Sequence, residues 1–154
     1  MSEAEVPATL GSWFPHSRRS PSLARRMLRE LLAMVPDGDR RYSETGELLA
    51  TELVANAVVH SGRPGRPIWV SFDVDATRLR IEVHDASALP PMPQRPDRTA
   101  GCGRGLLLVD ALATKWGHFP SPGGVGKVVW CECAPASPGG YVDGASCRRQ
   151  TTGT

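Results

Sequence analysis

The alternation of Ile68, Val70, Phe72 and Val74, repeated by Leu79, Ile81 and Val83 after a tight connection at Asp75-Ala76, restricts this chain more than any other feature. Side chains on a strand alternate between its two faces, so each run presents one apolar face and the pair forms an antiparallel hairpin. Upstream, Ser22 is the expected N-cap of a helix through Leu23, Met27, Leu28, Leu31 and Leu32, ending near Pro36-Asp37-Gly38. A second helix is expected from about Arg40 to His60, closed by Ser61-Gly62. Leu10, Trp13 and Phe14, stopped by Pro15, fit a short opening strand. Downstream, Pro90, Pro91, Pro93 and Pro96 keep Ser87 to about Ala100 out of helix and central strand. Gly101-Cys102-Gly103-Arg104-Gly105 then opens into a short apolar helix, Leu106 to Leu112. Two last strands are expected, about Ala113 to Phe119 and Lys127 to Cys133, around the turn Ser121-Pro122-Gly123-Gly124. The fold class is α+β, a two-layer α/β sandwich whose antiparallel or mixed sheet is covered on one face by helices.

A chain of 154 residues supplies one domain and a core that needs no disulfides. That domain is expected at 9–134, with a flexible N-terminus at 1–8. From about 135 to 154, Pro, Gly, Ser and Thr predominate without apolar periodicity, the composition of a disordered tail that cannot offset its ordering entropy. A net charge of +2 offers no polycation for direct nucleic-acid binding. No apolar run approaches the roughly 20 residues of a membrane span, and the polar opening lacks a signal-peptide pattern, so a cytoplasmic protein is the default expectation. Cys102, Cys131, Cys133 and Cys147 fit neither a disulfide framework nor a paired zinc site and are read as free thiols. The tryptophans, Trp13, Trp69, Trp116 and Trp130, are scattered and are read as core rather than a base-stacking platform.

Three places carry chemistry. Glu52, Asn56 and His60 follow each other at four-residue steps, drifting by only about 40° per step, and so form one polar stripe on an otherwise apolar helix. Such a stripe is an exposed edge, a partner for an arginine of the first helix, or the wall of a wet cavity. Asp85 is in phase with Leu79, Ile81 and Val83, so its carboxylate faces inward, either to cap an Asx turn with Ser87 or to accept from a ligand's amino group. Gly101, Gly103 and Gly105 before a helix N-terminus suit a phosphate, and equally suit a plain connection. A dinucleotide fingerprint fails because the third glycine comes one residue early, and a P-loop fails because Ser121 stands where its first glycine is required.

Taken together, Glu52-Leu53-Val54-Ala55-Asn56-Ala57-Val58-Val59-His60, Val83-His84-Asp85-Ala86-Ser87 and Gly101-Cys102-Gly103-Arg104-Gly105-Leu106-Leu107-Leu108-Val109 stand in the order of the three nucleotide motifs of the Bergerat-fold ATPases. The chain resembles that superfamily of gyrase, heat-shock chaperone, histidine kinase and MutL-like ATP domains, and within it the stand-alone anti-sigma-factor serine/threonine kinases, over about residues 10 to 134. The resemblance implies ATP and Mg²⁺ as cofactors. It implies that Asn56 is the Mg²⁺ ligand, that Glu52 is the catalytic base and that Asp85 accepts from the adenine amino group. Ser87 fits the Asp-x-Ser form of the second motif. Gly101, Gly103, Arg104, Gly105 and Leu106 would surround the phosphates, Ser87 to Ala100 would be the ATP lid, and His60 would make a structural hydrogen bond. One departure concerns the last strand, which commonly carries Thr after a glycine where this chain has Lys127-Val128 after Gly126. The implied function is phosphorylation of an anti-sigma-factor antagonist, controlling a sigma factor, with neither a membrane nor nucleic acid as partner; a homodimer is compatible with it. A nucleotide-gated binding module with little or no phosphotransfer is the alternative.

Overall fold

The computed structural model describes residues 7–60, 65–86, 105–122 and 126–137. Strand β1 (Ala8–Phe14) leads into helices α1 (Ser20–Ala33) and α2 (Gly38–His60). The hairpin of β2 (Ile68–Val74) and β3 (Leu79–Asp85) follows, then α3 (Gly105–Leu112), β4 (Lys115–Pro120) and β5 (Lys127–Cys133). The five strands form one sheet in the order β1-β2-β3-β5-β4, every neighbouring pair antiparallel, which confirms the expected α+β sandwich.

Several boundaries differ from the expected ones, most of them by one to three residues. Helix α1 begins at Ser20 rather than after a Ser22 cap, because Pro21 sits at its start, where a missing N–H costs nothing and a fixed φ helps. Ser20 there donates its hydroxyl to the Pro15 carbonyl, while the Ser22 hydroxyl accepts from Arg25 inside the first turn. Helix α2 starts two residues before Arg40, after Asp37 turns the chain in the left-handed region at φ 54°. Strand β4 starts at Lys115 rather than Ala113, because the Ala113 N–H still bonds the Val109 carbonyl and Thr114 bonds Glu132 through both its N–H and its hydroxyl.

The period-two pattern sorts the sheet into two faces. Ile68, Val70, Phe72 and Val74, with Leu79, Ile81 and Val83, join Val129, Cys131 and Cys133 beneath Leu28, Leu31, Leu32, Leu49, Leu53 and Val54 of the helices. The two cysteines are free and buried; burial pushes the Cys133 thiol up to about 12 and the Cys131 thiol well above its ordinary range, so neither is a thiolate. Most of the tryptophans depart from the expected core placement. Trp13 is 63% exposed and meets Trp69 edge to face at 5.2 Å, on the face away from the helices. Trp130 lies on that face too, its ring beneath the Arg80 guanidinium at 4.4 Å, while Trp116 packs against the core. Gly117 sits opposite Trp130 and Gly11 lies diagonal to Trp69, opposite Ser71, and a Cβ at either position would press into the neighbouring indole.

Helix α2 and strand β3 run alongside each other, and their registers locate the site. A Cβ at Gly46 would touch Leu79, so these two positions are level. Ten further residues of helix rise about 15 Å, and the six steps from Leu79 to Asp85 span about 20 Å. Asn56 and Asp85 therefore come to the same end of the sandwich.

Candidate functional site

Because α2 is helical throughout Gly38–His60, Glu52, Asn56 and His60 do share a face. Asn56 is buried, whereas Glu52 and His60 are half-buried. The expected arginine of the first helix goes elsewhere: Arg29 pairs with Glu47, and Arg25 reaches Thr51. Among the described residues Glu52 forms no ion pair and the Asn56 side chain makes no hydrogen bond. Burial holds the Glu52 carboxyl above its usual range, as it does for any carboxylate that gives up water without gaining a cation. Such a carboxyl has the proton affinity of a general base, and the Asn56 amide oxygen one turn later suits a hard cation.

Strand β3 delivers Asp85 to the inner face, as period two requires, and its side chain is 1% exposed. Its partner is Lys127, itself 6% exposed, whose Nζ lies 3.2 Å from Oδ1 and 3.1 Å from Oδ2. The two residues are direct cross-strand neighbours in the β3–β5 pairing. Gly126 makes that pairing possible. It has φ 92°, and a Cβ there would fall 3.0 Å from the Ala86 Cα and closer still to the Asp85 carbonyl oxygen. Only glycine allows both the conformation and the approach.

Residues 14–131 match the family of histidine kinase-like ATPase domains, well over half of the chain. The chain belongs to that family. No curated protein matches it. An ATPase domain of this kind binds ATP, and the five-stranded sheet under three helices is consistent with its fold. Among the described residues, no helix of this ATPase domain is long and apolar enough to cross a membrane, and no cluster of three or more His, Cys, Asp and Glu could hold a metal.

The remaining expected site residues divide between two regions. Helix α3 opens at Gly105, one residue before the expected Leu106, with Leu106 and Val109 buried, and it packs against α2. Ser87, Gly101, Gly103 and Arg104, the expected lid from Ser87 to Ala100, the Ser61-Gly62 exit, Cys102 and Cys147 lie outside the described residues. Lys127 is the residue whose position the sequence reading missed. Its signal was available: counting back from Cys133 and Cys131 in steps of two puts Lys127 on the inner face, level with Asp85.

Proposed function

We propose that this ATPase domain is a serine/threonine protein kinase of the anti-sigma-factor type, transferring the γ-phosphoryl group of ATP to a hydroxyl of an anti-sigma-factor antagonist and thereby controlling a sigma factor. The observation that carries the reading is Glu52: half-buried, with its carboxyl pushed up by burial, one helical turn before buried Asn56, and in no ion pair among the described residues. A purely structural glutamate on such a helix would be expected to find an arginine, as Glu47 does.

In this reading the acceptor oxygen forms a bond to the γ-phosphorus as the bond to the ADP oxygen breaks. Glu52 takes the hydroxyl proton, and ADP leaves. Asp85 accepts from the adenine amino group and fixes the base, while backbone N–H groups at the start of α3, at Gly105 and Leu106, face the phosphates. Asn56, with its buried amide, would hold Mg²⁺, which when bound neutralises phosphate charge. Most of the acceleration then comes from positioning and charge, which suits a site whose polar groups sit on one helix and two paired strands.

The test is incubation of the purified protein with γ-labelled ATP and candidate antagonist proteins, scoring label on protein against free phosphate. Label on a serine or threonine of the partner, lost in Glu52→Gln, is the expected result. Nucleotide-dependent capture of the partner without label would instead identify a gated binding module, and absence of ATP binding would refute both.

A further inference from the structure

Four-residue steps on α2 run back from Glu52 as well as forward. Leu48 and Glu44 precede it at that spacing, each step rising about 6 Å and turning about 40°. The same drift that tucks Asn56 inward carries these two outward: Leu48 is 45% exposed, and Glu44 is exposed as well. Among the described residues Glu44 forms no ion pair. The arginines near it are engaged elsewhere, Arg29 with Glu47, Arg40 with Asp37, and Arg41 at the Ala76 carbonyl.

A hydroxyl that gives its proton to Glu52 arrives attached to a chain, and that chain must cross the surface beside Glu52. Two repeats match there. A helix advances about 6 Å in four residues, and an extended chain about 6.6 Å in two, with every second side chain pointing the same way. An extended segment laid along α2 with its hydroxyl at Glu52 therefore sets the side chain two residues away over Leu48 and the one four residues away over Glu44. After both steps the mismatch is only about 1 Å. The first side chain meets an apolar group still in contact with water, and the second meets a carboxylate without a cation. Apolar contact and charge complementarity thus describe one and the same segment.

We propose that Glu44 and Leu48 form the docking surface for the protein substrate, taking an extended acceptor segment with an apolar residue two positions, and Lys or Arg four positions, from its serine or threonine, both on the same side of it. The inference rests on Glu52 being the base, as in the function proposed above, and names the class of acceptor which that function would use. Leu48 and Glu44 touch the segment beside the hydroxyl and have no part in the transfer itself.

Incubation of the full chain with γ-labelled ATP and a library of synthetic peptides, each with serine at its centre and one flanking position fixed at a time, tests it. Labelling should favour apolar over polar residues two positions from the serine by about tenfold or more. It should favour Lys or Arg over Glu four positions away, on that same side, by roughly two- to fivefold, the size of an exposed ion pair. Leu48→Arg, at an exposed helix position that arginine suits, should turn the first preference toward Asp and Glu, and Glu44→Gln should abolish the second. Labelled peptides without these preferences, or preferences that the two variants leave in place, would overturn the inference and leave the kinase standing. Label on a partner protein but on no peptide would also overturn it, because the acceptor is then read from a folded surface. So would a wild-type dimer, seen by analytical ultracentrifugation, that Leu48→Arg dissociates without changing peptide preference, which would give the stripe to a second copy. Label on neither peptides nor any candidate partner would remove the inference together with the proposed function. The wild-type preferences require no variant, so the test survives a Leu48→Arg protein that fails to fold.

Discussion

Two glycines with nearly equal backbone angles allow the close contact at the site to be weighed on its own. Gly65 has φ 90° and Gly126 has φ 92°, so alanine at either carries the same conformational cost, about 1–2 kcal/mol for an L residue in the left-handed region. Their surroundings differ completely. A Cβ at Gly65 meets nothing within 4 Å, whereas one at Gly126 would lie 3.0 Å from the Ala86 Cα and far inside van der Waals contact with the Asp85 carbonyl oxygen. Carbon atoms rest about 3.5–4.0 Å apart, so the start of β5 must retreat from β3 by roughly 1 Å. Lys127 is the next residue, and a shift of that size stretches its 3.1 and 3.2 Å contacts with Asp85 toward the limit of an ion pair. Breaking a buried pair costs about 3–5 kcal/mol when one charge is left behind, and partial separation part of that. Gly126→Ala should therefore lose about 3–5 kcal/mol in all and lower Tm by roughly 8–16 °C, against a few degrees for Gly65→Ala. It should also weaken nucleotide binding at least about tenfold, which Gly65→Ala should not. Thermal denaturation with and without Mg-ATP reads both. Equal losses from the two variants would refute the close approach of β5 to Asp85 and, with it, the account of why Lys127 is where it is.

Glu52→Gln should cut phosphotransfer by about 10²- to 10⁴-fold while ATP affinity stays within a few-fold. Since burial raises the Glu52 pKa, this group's contribution to stability is greatest below the ordinary carboxylate range and falls as pH rises through it; the variant's Tm should therefore decline less than wild type between pH 4 and pH 8. Asp85→Asn should lower ATP affinity roughly 10- to 150-fold, about 1.5–3 kcal/mol, and also lower Tm by leaving Lys127 buried beside a neutral amide; calorimetry and melting check the two parts separately. Asp75→Ala should cost about 1 kcal/mol at neutral pH with no effect on nucleotide binding. The Asp75 carboxyl is held below its usual range, first by the Thr77 backbone N–H, then by the Thr77 hydroxyl, so its stabilisation is full above the unfolded pKa and fades as pH falls through the folded one. Denaturant titrations at pH 7 and pH 3 should show the variant's deficit shrinking in acid.

What could be read directly from the sequence was whatever depends on period. The hairpin, the inward Asp85 and the shared face of Glu52, Asn56 and His60 all follow from steps of two or four along one element, and the structure has them there. Helix starts were less legible, because Pro21 and Ser20 outcompeted the expected cap at Ser22 through contacts with a preceding turn. The tryptophans misled for a different reason. Their size suggests burial, but an aromatic on an open sheet face is stabilised by a cross-strand partner such as Trp13 with Trp69, or by a guanidinium such as Arg80 over Trp130, and neither leaves a periodic trace. Lys127 was hidden by an assumption about composition. A lysine next to a turn is ordinarily a solvated end, and only the β3–β5 register shows it opposite a carboxylate that needs a cation.

The two ends of the sandwich are built on opposite terms. At the end carrying the β2–β3 turn, polar groups are densely matched: the Tyr42 hydroxyl donates to the Asp75 carbonyl at 2.8 Å, Arg41 donates to the Ala76 carbonyl, the Ala136 N–H donates to the Arg41 carbonyl at 2.7 Å, and Arg78 and Arg80 share Glu132. At the other end stand a carboxyl raised by desolvation, a buried amide and a desolvated ion pair, none of which an apolar replacement would make less stable on general grounds. The first end can therefore hold the register of β2, β3 and β5 while the second carries groups chosen for what they bind. Because all the strands involved are continuous from one end to the other, that register fixes Asp85 opposite Lys127 from about 20 Å away. Loosening the turn end should cost stability long before it changes binding, whereas loosening Gly126 should change both at once.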